Sequence, residues 1–117
     1  MLEFDMTIWR SQSDTPPIAT KIGTPALLEQ LGEECAELGK AALKEARRLR
    51  NENPTPVTEK EARENLAEEA ADVMNCLVEL SGIYFDVDQY GTIRARKVKR
   101  WHERLADFFK KKEGKNK

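Results

Sequence analysis

Apolar residues recur every three or four positions along three stretches of this chain, the period of a helix that buries one face. In the first stretch Leu28, Leu31, Cys35, Leu38, Ala42, Ala46 and Leu49 keep that spacing. Thr24 followed by Pro25 reads as an N-cap with proline in the first turn, so the pattern predicts a helix over residues 24–50. In the second stretch Leu66, Ala70, Val73, Leu77, Leu80 and Tyr84 form the stripe. Thr58 and Glu61 open it in the manner of a capping box, and it closes near Gly82 to Phe85. The intervening NENPTPVT holds two prolines and predicts a turn, which makes the pair an antiparallel hairpin. After a DVDQYG connection, Val98, Trp101, Leu105, Phe108 and Phe109 predict a third helix over residues 92–111. Residues 1–23 mix polar and apolar positions, and Pro16-Pro17 excludes a continuous helix there, so they read as an arm or a short helix plus loop. Residues 112–117 are expected to fray. The chain therefore predicts one all-α domain over residues 1–117: a helical hairpin plus a C-terminal helix.

Composition sharpens this picture. At 117 residues the folded surface stays large relative to the core, and stripes wider than a lone hairpin can cover point to a homo-oligomer. Charged residues at 35% and aromatic ones at 7% suit helices with long solvated faces. A net charge of −1 with acidic central helices argues against a nucleic-acid binder, although Lys and Arg collect after residue 93. No apolar run approaches the roughly 20 residues of a membrane span, and no signal peptide opens the chain, so a cytoplasmic protein without membrane partners is expected. Cys35 and Cys76 are flanked by apolar helix positions and read as small reduced core residues.

Two acidic clusters change the picture most. Glu33-Glu34-x-x-Glu37 lies on the first helix and Glu69-x-x-Asp72 on the second, and residues three apart share a face. By the helical wheel Glu34 lies about 20° off the edge of its apolar arc, with Glu37 further round on the same side and Glu33 more outward still. Glu69 falls inside the arc of its own helix, where an ionised side chain is costly unless something compensates it. Two such pairs facing each other could hold magnesium, which prefers hard oxygen ligands and shares substrate phosphates. Lys97, Arg100 and Arg104 fall within roughly 60° of one another beside Trp101, a cationic strip suited to the rest of a polyphosphate. Taken singly, each cluster also fits a solvated helix face. Together with Glu69 among apolar positions, they point to metal-assisted phosphoryl chemistry.

Glu33, Glu34 and Glu37, followed after a helical hairpin by Glu69 and Asp72, resemble the EExxE and ExxD signature of the MazG-like, all-α nucleoside triphosphate pyrophosphohydrolases. The similarity extends to Lys21-Ile22-Gly23-Thr24-Pro25 and to KVKRWHER, and so covers residues 21–104. The resemblance implies hydrolysis of NTP or dNTP to the monophosphate and pyrophosphate, in nucleotide-pool control or supply of one monophosphate. The sequence does not name the base or sugar, and a purine such as dGTP is a working expectation that the motifs do not carry. It implies a multi-subunit four-helix-bundle core, dimer or tetramer, and magnesium, with manganese able to substitute. Glu34, Glu37, Glu69 and Asp72 would be metal ligands, and Glu33, Glu34 or Glu37 the base for the attacking water. Lys97, Arg100 and Arg104 would touch phosphates. Asn75, Trp9 and Trp101 are candidates for the base or sugar, with core packing the other role for Trp101 and a subunit contact the other for Asn75; His102 reads as a surface residue. The segment between the motifs is longer than usual, Trp101 stands where the family has Asn, and VMNCLVEL lacks the Tyr-His pair of phosphoribosyl-ATP pyrophosphohydrolase. That enzyme, a non-enzymatic helical interaction module and a nucleic-acid binder are the alternatives.

Overall fold

A computed structural model describes residues 17–51, 54 and 56–115, and among these every regular element is a helix. The chain divides into two compact units, Met1–Ser81 and Gly82–Lys117.

In the first unit α1 spans Ile18–Ile22, α2 Thr24–Arg50 and α3 Glu59–Leu80. Gly23 joins α1 to α2 at φ 87°, a backbone conformation that a side chain rarely allows. Thr24 is therefore the first residue of α2 and does not cap it, contrary to the sequence expectation, and no side chain takes that role. Pro25 sits in the first turn, where its missing N–H would have had no intrahelical partner. At the far end Asn51 adopts the left-handed conformation and donates its N–H to the Arg47 and Arg48 carbonyls, closing the helix. Thr58 caps α3 as expected, its hydroxyl oxygen accepting the Glu61 N–H at 3.1 Å.

α2 and α3 pack against each other, and α1 contacts both. One cleft brings Leu27 of α2 beside Cys76 of α3, and another brings Ala41 beside Ala62, so the two helices run antiparallel. The packed face of α2 differs from the one its apolar periodicity suggests. Leu27, Leu31, Glu34, Leu38, Ala41, Glu45 and Arg48 are the buried or half-buried positions at three-four spacing, whereas Leu28, Cys35, Ala42 and Leu49 are exposed. The face is rotated by one residue because Glu34, Glu45 and Arg48 take seam positions that a reading of apolar residues passes over. On α3 the corresponding seam is Ala62, Leu66, Glu69, Val73, Cys76 and Leu80; Ala70 is exposed, and Tyr84 lies beyond the helix end at Leu80.

In the second unit α4 runs Val87–Lys115. It starts five residues before the expected boundary because the Asp86 side chain accepts the Gln89 N–H at 2.6 Å, capping the first turn. The Phe85 and Tyr90 rings stack with centroids 5.1 Å apart across that turn. Gly91 is carried through at a helix cost of about 1 kcal/mol. The helix also continues through Lys115, into the segment expected to fray. Val98, Trp101, Leu105 and Phe108 keep their three-four spacing, and all are exposed. No helix among the described residues is long and apolar enough to cross a membrane.

Candidate metal site on the hairpin seam

The seam brings three carboxylates to one point. Glu34 and Glu69 occupy register positions of the two packed faces, which carries them toward each other, and Asp72 follows Glu69 by three residues on the same side of α3. One oxygen from each of Glu34, Glu69 and Asp72 lies within 4.8 Å of the others. Glu34 and Glu69 are half-buried and Asp72 is exposed, so the cluster is held by the fold yet reachable from water.

Nothing cationic offsets this charge among the described residues. The ion pairs lie elsewhere: Glu45 with Arg48, and exposed pairs one turn apart on α3 and α4. Glu69 is accordingly pushed up from its ordinary pKa, first by burial and then by repulsion from Asp72, Glu37, Glu34 and Glu68. Gln30, one turn before Glu34, donates its side-chain N–H to Glu34 Oε1 at 2.6 Å and fixes that carboxylate. Hard oxygen donors from two rigid helices, an open water-facing side and an uncompensated negative charge fit a magnesium ion that keeps several waters. Glu34, Glu69 and Asp72 are the residues that would hold it. Glu37 is not in this group of converging oxygens, although it is near enough to raise Glu69, and Glu33 is exposed.

The remaining candidates fall in different places. Lys97, Arg100, Arg104 and His102 are exposed on α4, in the second unit, and form no ion pair among the described residues. Trp101 is 67% exposed and not a core residue there. Trp9 lies outside the described residues. Cys76 is buried as expected and Cys35 is exposed, displaced by the rotation of the α2 face; both are free thiols. Burial pushes the Cys76 thiol up, with Glu34, Cys35 and Asp72 adding to it, so it stays protonated.

Asn75 borders a cavity of about 180 Å³ beside the carboxylates. Ile18 and Ile22 of α1, Leu27 and Gln30 of α2 and Cys76 of α3 form its other walls, and Glu34 and Asp72 line it too, which joins it to the cluster. Glu79, also on its lining, accepts the Ile18 N–H at 3.0 Å and so ties the start of α1 to α3. Sequence reasoning missed Gln30 and Glu79. The first was readable as a partner one turn from Glu34; the second pairs with a residue 61 positions away and leaves no local signal. The chain matches no family model, no curated protein and no solved structure.

Proposed function

We propose that the chain is a magnesium-dependent nucleoside triphosphate pyrophosphohydrolase, converting NTP or dNTP and water to the monophosphate and pyrophosphate, as its resemblance to the MazG-like enzymes implies. The observation that carries this reading is the convergence of Glu34, Glu69 and Asp72 within 4.8 Å on a packed seam without a cationic partner among the described residues. Carboxylates are kept in such a place at a cost to stability, and a bound cation is what repays it.

When bound, magnesium supplies Lewis-acid polarisation of the triphosphate and an activated water. The chain's own residues do the rest. Glu34, Glu69 and Asp72 would hold that ion, with Glu37 near enough to join them. An oxygen of Glu33, Glu34 or Glu37 takes the proton from the water that attacks the α-phosphorus. The resemblance also gives Lys97, Arg100 and Arg104, in the second unit, a role in contacting phosphate. A homodimer or tetramer with a four-helix core belongs to the same reading. The exposed apolar strip of Leu28, Cys35, Ala42 and Leu49, seven residues apart along α2, is the surface that a second hairpin would cover. That strip equally suits a helical interaction module without turnover.

Pyrophosphate release measured over the common NTPs and dNTPs, with magnesium and with a chelator, separates the two. Release that depends on magnesium supports the enzyme. Its absence for every triphosphate, with the protein folded, overturns it.

A further inference from the structure

Gly32 and Gly39 sit in the interior of α2, where glycine weakens a helix relative to alanine, and a Cβ at either would meet nothing within 4 Å among the described residues. The hairpin itself gives no reason for them. They share an exposed face with Leu28, Cys35, Ala36, Ala42, Leu43 and Leu49, all within about 80° of Leu28 on the helical wheel. No charged residue of α2 falls in that arc before Arg50. We infer that this face packs against α2 of a second copy, antiparallel and closely approached at Gly32 and Gly39, in a register that sets Cys35 opposite Ala42 of the partner subunit. The pairing rests on the oligomer in the proposed hydrolase and gives it a face, a direction and a register.

The register follows from the spacing. Leu28 precedes Cys35 by seven residues and Leu49 follows Ala42 by seven, so a second α2 turned end for end lays Leu28 on the partner's Leu49 as it lays Cys35 on the partner's Ala42. The two-fold axis then passes between residues 38 and 39. Around it Cys35, Ala36, Gly39 and Ala42 are small enough for the backbones to approach, and Leu43 of each copy fills the hole between Gly32 and Ala36 of the other.

Charge selects the direction. On one flank of the face the first half of α2 carries Glu29, Glu33 and Glu37, and the second half carries Lys40, Lys44 and Arg47. None of the six forms an ion pair among the described residues. Parallel copies would set like charges side by side, whereas antiparallel copies bring each acidic half against a basic half, with Glu29 nearest Arg47 of the partner subunit.

Two measurements on the full chain test the pairing. Residues seven apart on a helix are about 10.5 Å apart along its axis, beyond the reach of a disulfide. Under mild oxidation Ala42→Cys should therefore form a covalent dimer, its introduced thiol bonding Cys35 of the partner subunit, while wild type and the double variant Cys35→Ser with Ala42→Cys should not. Cys76 is buried and takes no part. A covalent dimer of the wild type, or none with Ala42→Cys, overturns the register. The second measurement is sedimentation equilibrium of Gly39→Leu. The new side chain meets open space within its own hairpin and favours the helix, so the chain stays folded, yet the dimer dissociation constant should rise at least about tenfold. An unchanged or lower constant removes the close approach. Pyrophosphate release is scored separately: the Ala42→Cys dimer without turnover keeps the pairing and removes the hydrolase, and turnover by a chain that fails both tests keeps the hydrolase and removes the pairing.

Discussion

The α2–α3 seam carries half-buried charge in two regions, and the chain treats them in opposite ways. Toward the C-terminal end of α2, Glu45 lies on the seam with its side chain only 14% exposed, and Arg48, 21% exposed, grips it with two hydrogen bonds at 2.7 and 3.0 Å. That bidentate partner holds the Glu45 carboxyl below its usual range and lifts the Arg48 guanidinium correspondingly. Around Glu69 the neighbours are Asp72, Glu37, Glu34 and Glu68, all acids, and its carboxyl is pushed the other way. A half-buried carboxylate in this fold can thus be satisfied within the chain when an arginine stands one turn away. Around Glu69 the described residues supply three converging carboxylates and no ion-paired cation, and under the proposed function a divalent cation from solution would offset that charge.

The largest expected effect comes from neutralising the unsatisfied region. Glu69→Gln keeps the side chain's shape and removes one charge from the cluster. Pyrophosphate release should fall by about a hundredfold to a thousandfold, as expected when an ion worth several kcal/mol to the transition state loses a ligand. The metal-free protein should at the same time melt higher than wild type, because a repelling charge has gone from the seam. Turnover equal to wild type, or a lower metal-free melting temperature, would put Glu69 in a structural role instead.

A smaller effect of opposite kind should follow in the satisfied region. Arg48→Ala strands Glu45 on the seam and should lower the melting temperature by several degrees, while kcat and KM for the triphosphate stay at wild-type values. An activity loss with no change in melting would mean that the two regions are not independent.

The smallest effect is in the pH dependence of the metal-free protein, where the two regions contribute with opposite signs. Glu45 is depressed in the folded state, so its contribution is present above the ordinary carboxylate pKa and is lost as pH falls through its lowered value. Glu69 is raised in the folded state, so its contribution is full below the ordinary pKa and is lost as pH rises through its raised value. Melting temperature should therefore decline from mildly acid pH toward neutrality as Glu69 ionises, and decline again in strong acid as Glu45 is protonated. Glu69→Gln should remove the first decline and keep the second. Thermal melts across pH in chelator check this, and an unchanged neutral-side slope in the variant contradicts it.

The same charged residues explain how far the sequence could be read. Helix limits were legible where local chemistry sets them: Pro25 in the first turn of α2, Thr58 accepting the Glu61 N–H, and prolines between α2 and α3. The phase of the α2 face was not, because its seam runs through Glu34, Glu45 and Arg48, and a count of apolar positions slides to Leu28, Cys35, Ala42 and Leu49 instead. Glu69 and Asp72 were readable as a pair from their spacing and from the apolar arc around Glu69. The convergence of Glu34 with them depends on the antiparallel register of two helices, which no local pattern encodes. The α4 start was misplaced because Gly91 suggests a connection, whereas the Asp86 cap and the Phe85–Tyr90 stack sustain the helix.

The central claim is that Glu34, Glu69 and Asp72 form a site for a divalent cation. Its most direct test is a magnesium titration of the melting temperature of wild type, Glu69→Gln and Arg48→Ala in parallel. Wild type should melt progressively higher, by the equivalent of about 2.7 kcal/mol once magnesium reaches a hundred times its Kd. Arg48→Ala should show the same rise from a lower start, and Glu69→Gln should show little or none. A wild-type melting temperature indifferent to magnesium, or a Glu69→Gln response equal to wild type, would contradict the account.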